Sequence, residues 1–286
     1  MKLARFSEEG RTRIGVVDGE QVVDLEAACP ELPREMTELL AAGPAVLERA
    51  RKAAQDGGAP RFALESVRLE APIARPPKFL GVGLNYADHA AETGRNPPEF
   101  PVFFNKQSTC VIGPGVPIVL PRVSEQVDYE GELGLVIGRR ARRLSREQAR
   151  EAIAGYLVVN DVSARDWQFR APTMTLGKSF DTHGPIGPWI VTADEVGDPH
   201  VLELRTYVSG ELRQHSNTRN LIFDCYALVE LLSTVFTLEP GDIVSTGTPA
   251  GVGMAASPQR FLRPGDVVRI EIERIGVLEN PVIAEA

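Results

Sequence analysis

The chain has 286 residues, 43% hydrophobic and 24% charged, with a formal net charge of −8. That is ordinary globular composition, with room for one large domain or for a small one and a larger one, and its acidic balance argues against a nucleic-acid binder, whose footprint is basic. Three cysteines, Cys29, Cys110 and Cys225, with no close spacing, argue against a disulfide scaffold or a zinc cluster.

The segment Met1–Phe6 has no apolar run of signal-peptide length, and no later stretch is long enough to span a bilayer, so the expectation is a reducing, cytoplasmic compartment and no membrane partner. Ile14–Val17 and Val22–Leu25 flank Asp18-Gly19 and read as a hairpin. Helical patterns follow over Glu35–Ala42 and Ala45–Ala54, separated by Gly43-Pro44 and closed by Gly57-Gly58. Pro72, Pro76 and Pro77 suit an extended connector. The division expected is a small α+β N-terminal domain over 1–70, a proline-rich linker over 71–77 and a larger domain over 78–286.

That larger part reads as strand-rich. Strands are expected at Lys78–Gly83, Val116–Leu120, Glu132–Ile137, Tyr156–Asn160, Trp189–Thr192, Gly241–Ser245 and Asp266–Glu273, with a hairpin around Ser209-Gly210. Residues 85–93 carry a helical pattern, and Asp224–Phe236 reads as a buried helix. Arg139-Arg140-Ala141-Arg142-Arg143 reads as a solvated turn, and Phe100–Phe104 and Gln168–Met174 as loops. Without a repeated β-α alternation, a Rossmann fold or a TIM barrel is disfavoured, which leaves an α+β, mainly β, class.

Five stretches could carry chemistry. In Asp128–Ile137, side-chain alternation puts Glu130 and Glu132 on one face, about 7 Å apart at Cα, with Leu133, Leu135 and Ile137 on the other. Such a pair either forms a solvated polar face or holds a hard divalent cation. Asp161 ends an apolar strand and is either a helix N-cap or a further ligand; on a helix Arg165 and Gln168 share its face. His89 and Glu92 are helix neighbours suited to activating water, or an idle surface pair. Lys178 lies among small and turn residues, beside a pocket or simply exposed. The loop Thr246–Gly253 offers hydroxyls and backbone N–H groups to an anion, or is a plain turn. Cys110 reads as a small core residue. There is no Gly-x-Ser-x-Gly, no His-Glu-x-x-His and no Walker pattern.

In this order the motifs Asn85-Tyr86-x-x-His89-x-x-Glu92, Asp128-Tyr129-Glu130-x-Glu132-Leu133, Asn160-Asp161-x-Ser163-x-Arg165-Asp166-x-Gln168, Gly177-Lys178-Ser179-Phe180-Asp181 and Thr246-Gly247-Thr248-Pro249-x-Gly251-Val252-Gly253 resemble the fumarylacetoacetate hydrolase family over roughly Lys78–Val282. The resemblance implies a rolled β-sandwich catalytic domain and a homodimer. It also implies Mg²⁺ or Mn²⁺, with Ca²⁺ a further option, on Glu130, Glu132 and Asp161. By the same resemblance His89 and Glu92 form a dyad on a lid and Lys178 steadies an enolate. Arg165, Gln168, Thr248 and Tyr86 surround the substrate. His183 stands where many relatives carry Phe, which bears on pocket shape.

The implied chemistry is hydrolytic cleavage of a C–C bond in a 2,4-dioxo acid of the acylpyruvate or fumarylpyruvate type, with His89 taking a proton from water. Oxaloacetate decarboxylation, which needs no hydroxide, is the alternative, and oxo-dienoate isomerisation or hydration uses the same metal-held enolate. A scaffold protein that lost the chemistry is disfavoured by the intact dyad and triad.

Overall fold

The computed structural model describes all 286 residues. A twelve-stranded mixed sheet is faced by a five-stranded one. In the large sheet Gly131–Ile137 lies between Ile153–Asn160 and Ile243–Ser245, antiparallel to both. The sheet continues through Phe79–Gly83 to Val102–Lys106. The small sheet is built from Glu203–Val208, Glu211–Asn217, Val267–Ile272, Gly276–Ala284 and Ile118–Leu120.

Every residue of Gly131–Ile137 is buried because the strand separates two cores. Leu133, Leu135 and Ile137 join Leu204, Ile270 and Leu278 of the small sheet and Leu228 of the helix Cys225–Val235. Val136, on the opposite face, joins Leu3, Leu39, Leu40 and Ile190 beneath the N-terminal helices. Each fully buried aliphatic side chain contributes about 1.5–3 kcal/mol, so the register of this strand is held from both sides. The carboxylates of Glu130 and Glu132 share the parity of Val136 but stand at the strand's other end.

The expected hairpin around Asp18-Gly19 forms between Arg11–Asp18 and Gln21–Asp24, and the two helices form as Met36–Ala41 and Pro44–Gln55. Leu25 departs from the expected strand and opens a short helix capped by Asp24. The strand Lys2–Glu8, weakly patterned in sequence, pairs with Arg11–Asp18 and also with Gly184–Thr192, through Lys2↔Val191 and Leu3↔Ile190. The first residues are thereby an extension of the main sheet. Residues 71–77 carry no helix or strand.

Where a loop was expected at Phe100–Phe104, residues 102–106 are a strand. Its partner explains this: Gly81 pairs with Phe104, and a Cβ at Gly81 would stand 2.2 Å from the Phe104 ring. Only a glycine lets that ring lie across the sheet, and the signal for it sits some twenty residues upstream. The helix Arg146–Ala152 was also unread, although Ser145 and Gln148 form its capping box.

Candidate metal centre and active-site cavity

Glu130 precedes the first residue of the strand Gly131–Ile137, and Glu132 is the second residue within it; Asp161 follows directly after the paired strand Ile153–Asn160. The pairing Gly131↔Asn160 brings these ends together. All three carboxylates are buried, and one ligand oxygen from each lies within 4.8 Å of the others. The solvated-face reading of Glu130 and Glu132 is therefore excluded, and Asp161 caps no helix.

Buried carboxylates require partners. Glu130 accepts from Arg165 Nη1 and from Lys178 Nζ, each at 2.6 Å. Burial pushes its carboxyl up, but Arg165 and Lys178 outweigh that and hold it below the usual range. Asp161 receives Lys178 Nζ at 2.6 Å on one oxygen and Lys106 Nζ at 2.6 Å on the other. Burial works against the charge of Lys178, yet Asp161 and Glu130 more than offset it and its pKa is raised.

Glu132 differs. Its Oε2 accepts only neutral donors, Ser245 Oγ at 2.5 Å and Gly247 N at 2.8 Å, and no cation forms an ion pair with it. Burial first, then Asp161 and Glu130, push its carboxyl well up. Around the site the carboxyls of Asp128, Glu130, Glu132 and Asp161 face three cations, Lys106, Lys178 and Arg165, so ionising Glu132 leaves one negative charge uncompensated. A divalent cation ligated by Glu130, Glu132 and Asp161 would correct both the imbalance and the repulsion at Glu132. Carboxylate oxygens within 4.8 Å of one another suit the 2.0–2.6 Å bonds typical of Mg²⁺, Mn²⁺ or Ca²⁺ after slight adjustment.

Lys106 escaped the sequence reading. It closes the strand Val102–Lys106 and, besides Asp161, donates to the carbonyls of Lys178 and, at 3.0 Å, His183. Nothing in the sequence marked it: it follows a segment read as a loop, and parity fails at Val102, which is exposed while Phe104 and Lys106 are buried. Asp128 was quoted in a motif but given no part. It accepts Arg165 Nε at 2.9 Å and the N–H groups of Gly253 and Met254 at 2.8 and 3.0 Å.

Arg165 does not share a helix face with Asp161, because the chain passes through the bridge Ser163–Ala164 before the short helix Arg165–Gln168 begins. The bend turns Arg165 toward Glu130 and Asp128 instead. Its Nη1 also donates to Gln168 Oε1 at 2.9 Å. Nη2 lies 2.8 Å from Asp128 but is misaligned, so it has buried hydrogens without a partner.

His89 and Glu92 lie on the helix Ala87–Glu92, with Nδ1···Oε2 at 3.1 Å. The other Glu92 oxygen accepts Gly251 N at 2.8 Å. The loop Thr246–Gly253 thus spends its N–H groups on carboxylates of the protein, through Gly247 to Glu132, Gly251 to Glu92 and Gly253 to Asp128, where the sequence suggested a bound anion. Thr248 Oγ1 donates to the carbonyl of Gly131 at 3.0 Å and accepts from Gln214 at 2.8 Å.

A cavity of about 140 Å³ gathers these groups: Glu130, Glu132, His89, Arg165, Lys178 and Thr248 line it, with Gln168 beside them. Tyr86 does not reach it. Its ring is fully buried, its hydroxyl has no partner, and burial followed by the Glu132 charge pushes its pKa well up. His183 does not line the cavity either; its ring Nε2 donates to Val119 O, 3.1 Å away, so its departure from Phe does not shape this pocket. Cys110 is buried and unpaired, its thiol pushed up to about 11 chiefly by burial, as befits a core residue. A larger hollow of about 710 Å³ beside Leu47 and Ile153 holds no comparable carboxylate triad, so the chemistry and not the volume marks the site.

Gly177, in the short helix Thr175–Lys178, sets the position of Lys178. A Cβ there would lie 2.3 Å from Gln168 N and 2.4 Å from Gln168 Cα. Gly177→Ala is expected to cost about 1–3 kcal/mol by forcing backbone apart and to lower kcat as Lys178 and Gln168 separate. Thermal melts and steady-state rates matching wild type would refute that packing.

Comparison with known proteins agrees with this geometry. Residues 78–283 match the family described as Fumarylacetoacetate (FAA) hydrolase C-terminal, and residues 1–72 match one described as Rv2993c-like, N-terminal. The chain is 42% identical over 289 residues to a mitochondrial oxaloacetate tautomerase of Xenopus laevis, covering 99% of this chain and 90% of that protein. It is 34% identical, with a TM-score of 0.83, to maleylpyruvate hydrolase from Sphingobium sp. SYK-6 solved with manganese(II) and pyruvate, covering 100% of both chains. It is 37% identical, with a TM-score of 0.79, to 2-hydroxyhepta-2,4-diene-1,7-dioate isomerase from Mycobacterium marinum, covering 100% of this chain and 99% of that one. No helix is long and apolar enough to cross a membrane.

Proposed function

The chain belongs to the fumarylacetoacetate hydrolase family, and from that premise we propose that it is a divalent-cation-dependent hydrolase of short 2,4-dioxo acids carrying a second carboxylate. The observation that carries this reading is His89 on the wall of the cavity that Glu130 and Glu132 also line, held at 3.1 Å by Glu92, which Gly251 anchors in turn. The substrates in the names of the three relatives, oxaloacetate, maleylpyruvate and a hepta-diene-dioate, are all dicarboxylates.

A divalent cation on Glu130, Glu132 and Asp161 supplies Lewis acidity toward the oxygens of a 2-oxo acid. The remaining tasks fall to side chains. A neutral His89 that donates from Nδ1 to Glu92 presents Nε2 as the acceptor for a proton from water. The resulting hydroxide attacks the carbonyl remote from the 2-oxo acid, and the C–C bond opens toward an enolate. Lys178 has three N–H donors and uses two on Glu130 and Asp161. The third is left for the enolate oxygen, where charge develops. Arg165 Nη2 offers its hydrogens to the substrate carboxylate, and Gln168 and Thr248 stand beside it.

A second reading is oxaloacetate tautomerisation, favoured by the 42% identity to a tautomerase across 99% of the chain. It needs the same enol-stabilising groups and a proton shuttle, but no water attack. The discriminating experiment is a panel of 2,4-dioxo acids, oxaloacetate enol and oxo-dienoates assayed with Mg²⁺ and with Mn²⁺. Release of pyruvate plus a carboxylic acid supports hydrolysis. Loss of enol absorbance without a cleaved product supports tautomerisation. A protein inert toward the whole panel, with either ion, overturns both.

A further inference from the structure

Every cation lining the site but one is ion-paired within the protein. Lys106 and Lys178 are bound to Asp161, Lys178 also to Glu130, and Arg165 to Asp128 and Glu130. Arg95 also lines the cavity, yet it enters no ion pair and its guanidinium makes no hydrogen bond within the protein. It is exposed while lining the cavity, which sets it on the open side.

Its backbone is tied to the helix that carries the dyad: Arg95 N donates to Ala90 O at 3.0 Å, and Thr93 Oγ1 donates to His89 O at 2.9 Å. Arg95 shares the cavity wall with Glu130 and Glu132, and Leu84, Val102, Phe169 and Met174 supply an apolar part of it. A ligand fitting this surface has an anionic head at the triad, a short carbon chain and a second anionic group.

We infer that Arg95 is the specificity-determining residue for a second carboxylate, at the end of the substrate remote from the triad. This deepens the reading above and rests on it for the reaction, though not for the binding. A guanidinium suits the task because its planar fork matches a carboxylate and keeps its charge at any working pH.

The test compares wild type, Arg95→Gln and Arg95→Lys, each full-length and loaded with Mn²⁺. The ratio of kcat/KM for fumarylpyruvate to that for acetylpyruvate is expected to fall about 10- to 100-fold in the glutamine variant, the value of one charge-assisted hydrogen bond. The lysine variant is expected to recover part of it. An unchanged ratio overturns the inference and leaves Arg95 a solvated surface residue. Binding is read separately, by calorimetry with 2-oxoglutarate and 2-oxobutyrate, which differ in the distal carboxylate. Wild type is expected to prefer 2-oxoglutarate by about tenfold or more, and Arg95→Gln to lose that preference. Equal preference in the two proteins overturns the inference whatever the kinetics. Discrimination in binding without turnover of any dioxo acid upholds Arg95 and overturns the proposed reaction.

Discussion

Glu132→Gln is expected to abolish turnover and to weaken Mn²⁺ binding by more than the 10- to 100-fold that changes outside the ligand set typically cost, while leaving the metal-free protein at least as heat-stable as wild type. The expectation follows from the position of this carboxylate. It is buried, it faces Asp161 and Glu130, and it receives only a hydroxyl and a backbone N–H. Without a cation its charge is a cost to the fold; with one it is the ligand that no lysine occupies. The amide keeps an acceptor for Ser245 and Gly247 but removes the repulsion.

The pH dependence has a definite sign. The folded-state pKa of Glu132 lies above its ordinary value of 4.5. The folded chain then holds a proton that the unfolded chain releases, and stability falls as pH rises from about 4.5 toward the raised value. Glu130 runs the other way: its carboxyl is held down, so its contribution is fully present above 4.5 and is lost as pH falls toward its lowered value. In a chelator, melting curves of wild type and Glu132→Gln should therefore converge in acid and separate, with the variant the more stable, toward neutral pH. Saturating Mn²⁺ should reverse the order. Normal Mn²⁺ affinity in the variant, measured calorimetrically, would remove Glu132 from the ligand set.

His89→Ala is expected to lower kcat for dioxo-acid hydrolysis by about 10²- to 10⁴-fold, the usual worth of a positioned general base, with a much smaller change in KM. Glu92→Gln should cost less, because the ring loses its orienting charge but keeps Nε2. Reactions that need no hydroxide, such as oxaloacetate decarboxylation, should suffer less from His89→Ala than hydrolysis does. Comparable losses on both would remove the reason for ranking hydrolysis first. The comparison is clean because His89 contacts no triad carboxylate through a hydrogen bond; its partner is Glu92.

Much of this was legible in the chain itself, wherever the signal was local. Ser209-Gly210 forms its hairpin with both residues at positive φ, 50° and 81°, as a tight two-residue turn demands. Asp224 caps the helix Cys225–Val235 by accepting from Tyr226 and Ala227. The i, i+3 spacing of His89 and Glu92 became a hydrogen bond because both lie within one helix. The alternation of Glu130 and Glu132 against Leu133 and Leu135 was likewise written in consecutive residues.

What the sequence could not determine was which distant groups would meet those carboxylates. Lys106 and Asp161, 55 positions apart, meet although three strands lie between Val102–Lys106 and Ile153–Asn160 in the sheet, so the contact depends on the course of the whole sheet and on no local spacing. Local spacing even misdirected Arg165, since a helix face was read across residues that the fold bends through a two-residue bridge. Tyr86, carried along by its motif, went to the core. A side chain's neighbours across a sheet depend on strand order and register, which arise from burying apolar surface across the whole chain. The sequence by itself determined which residues could hold a cation and activate water; the tertiary structure decided that Glu132 alone of the triad lacks a cationic partner, and hence where the ion's charge is needed.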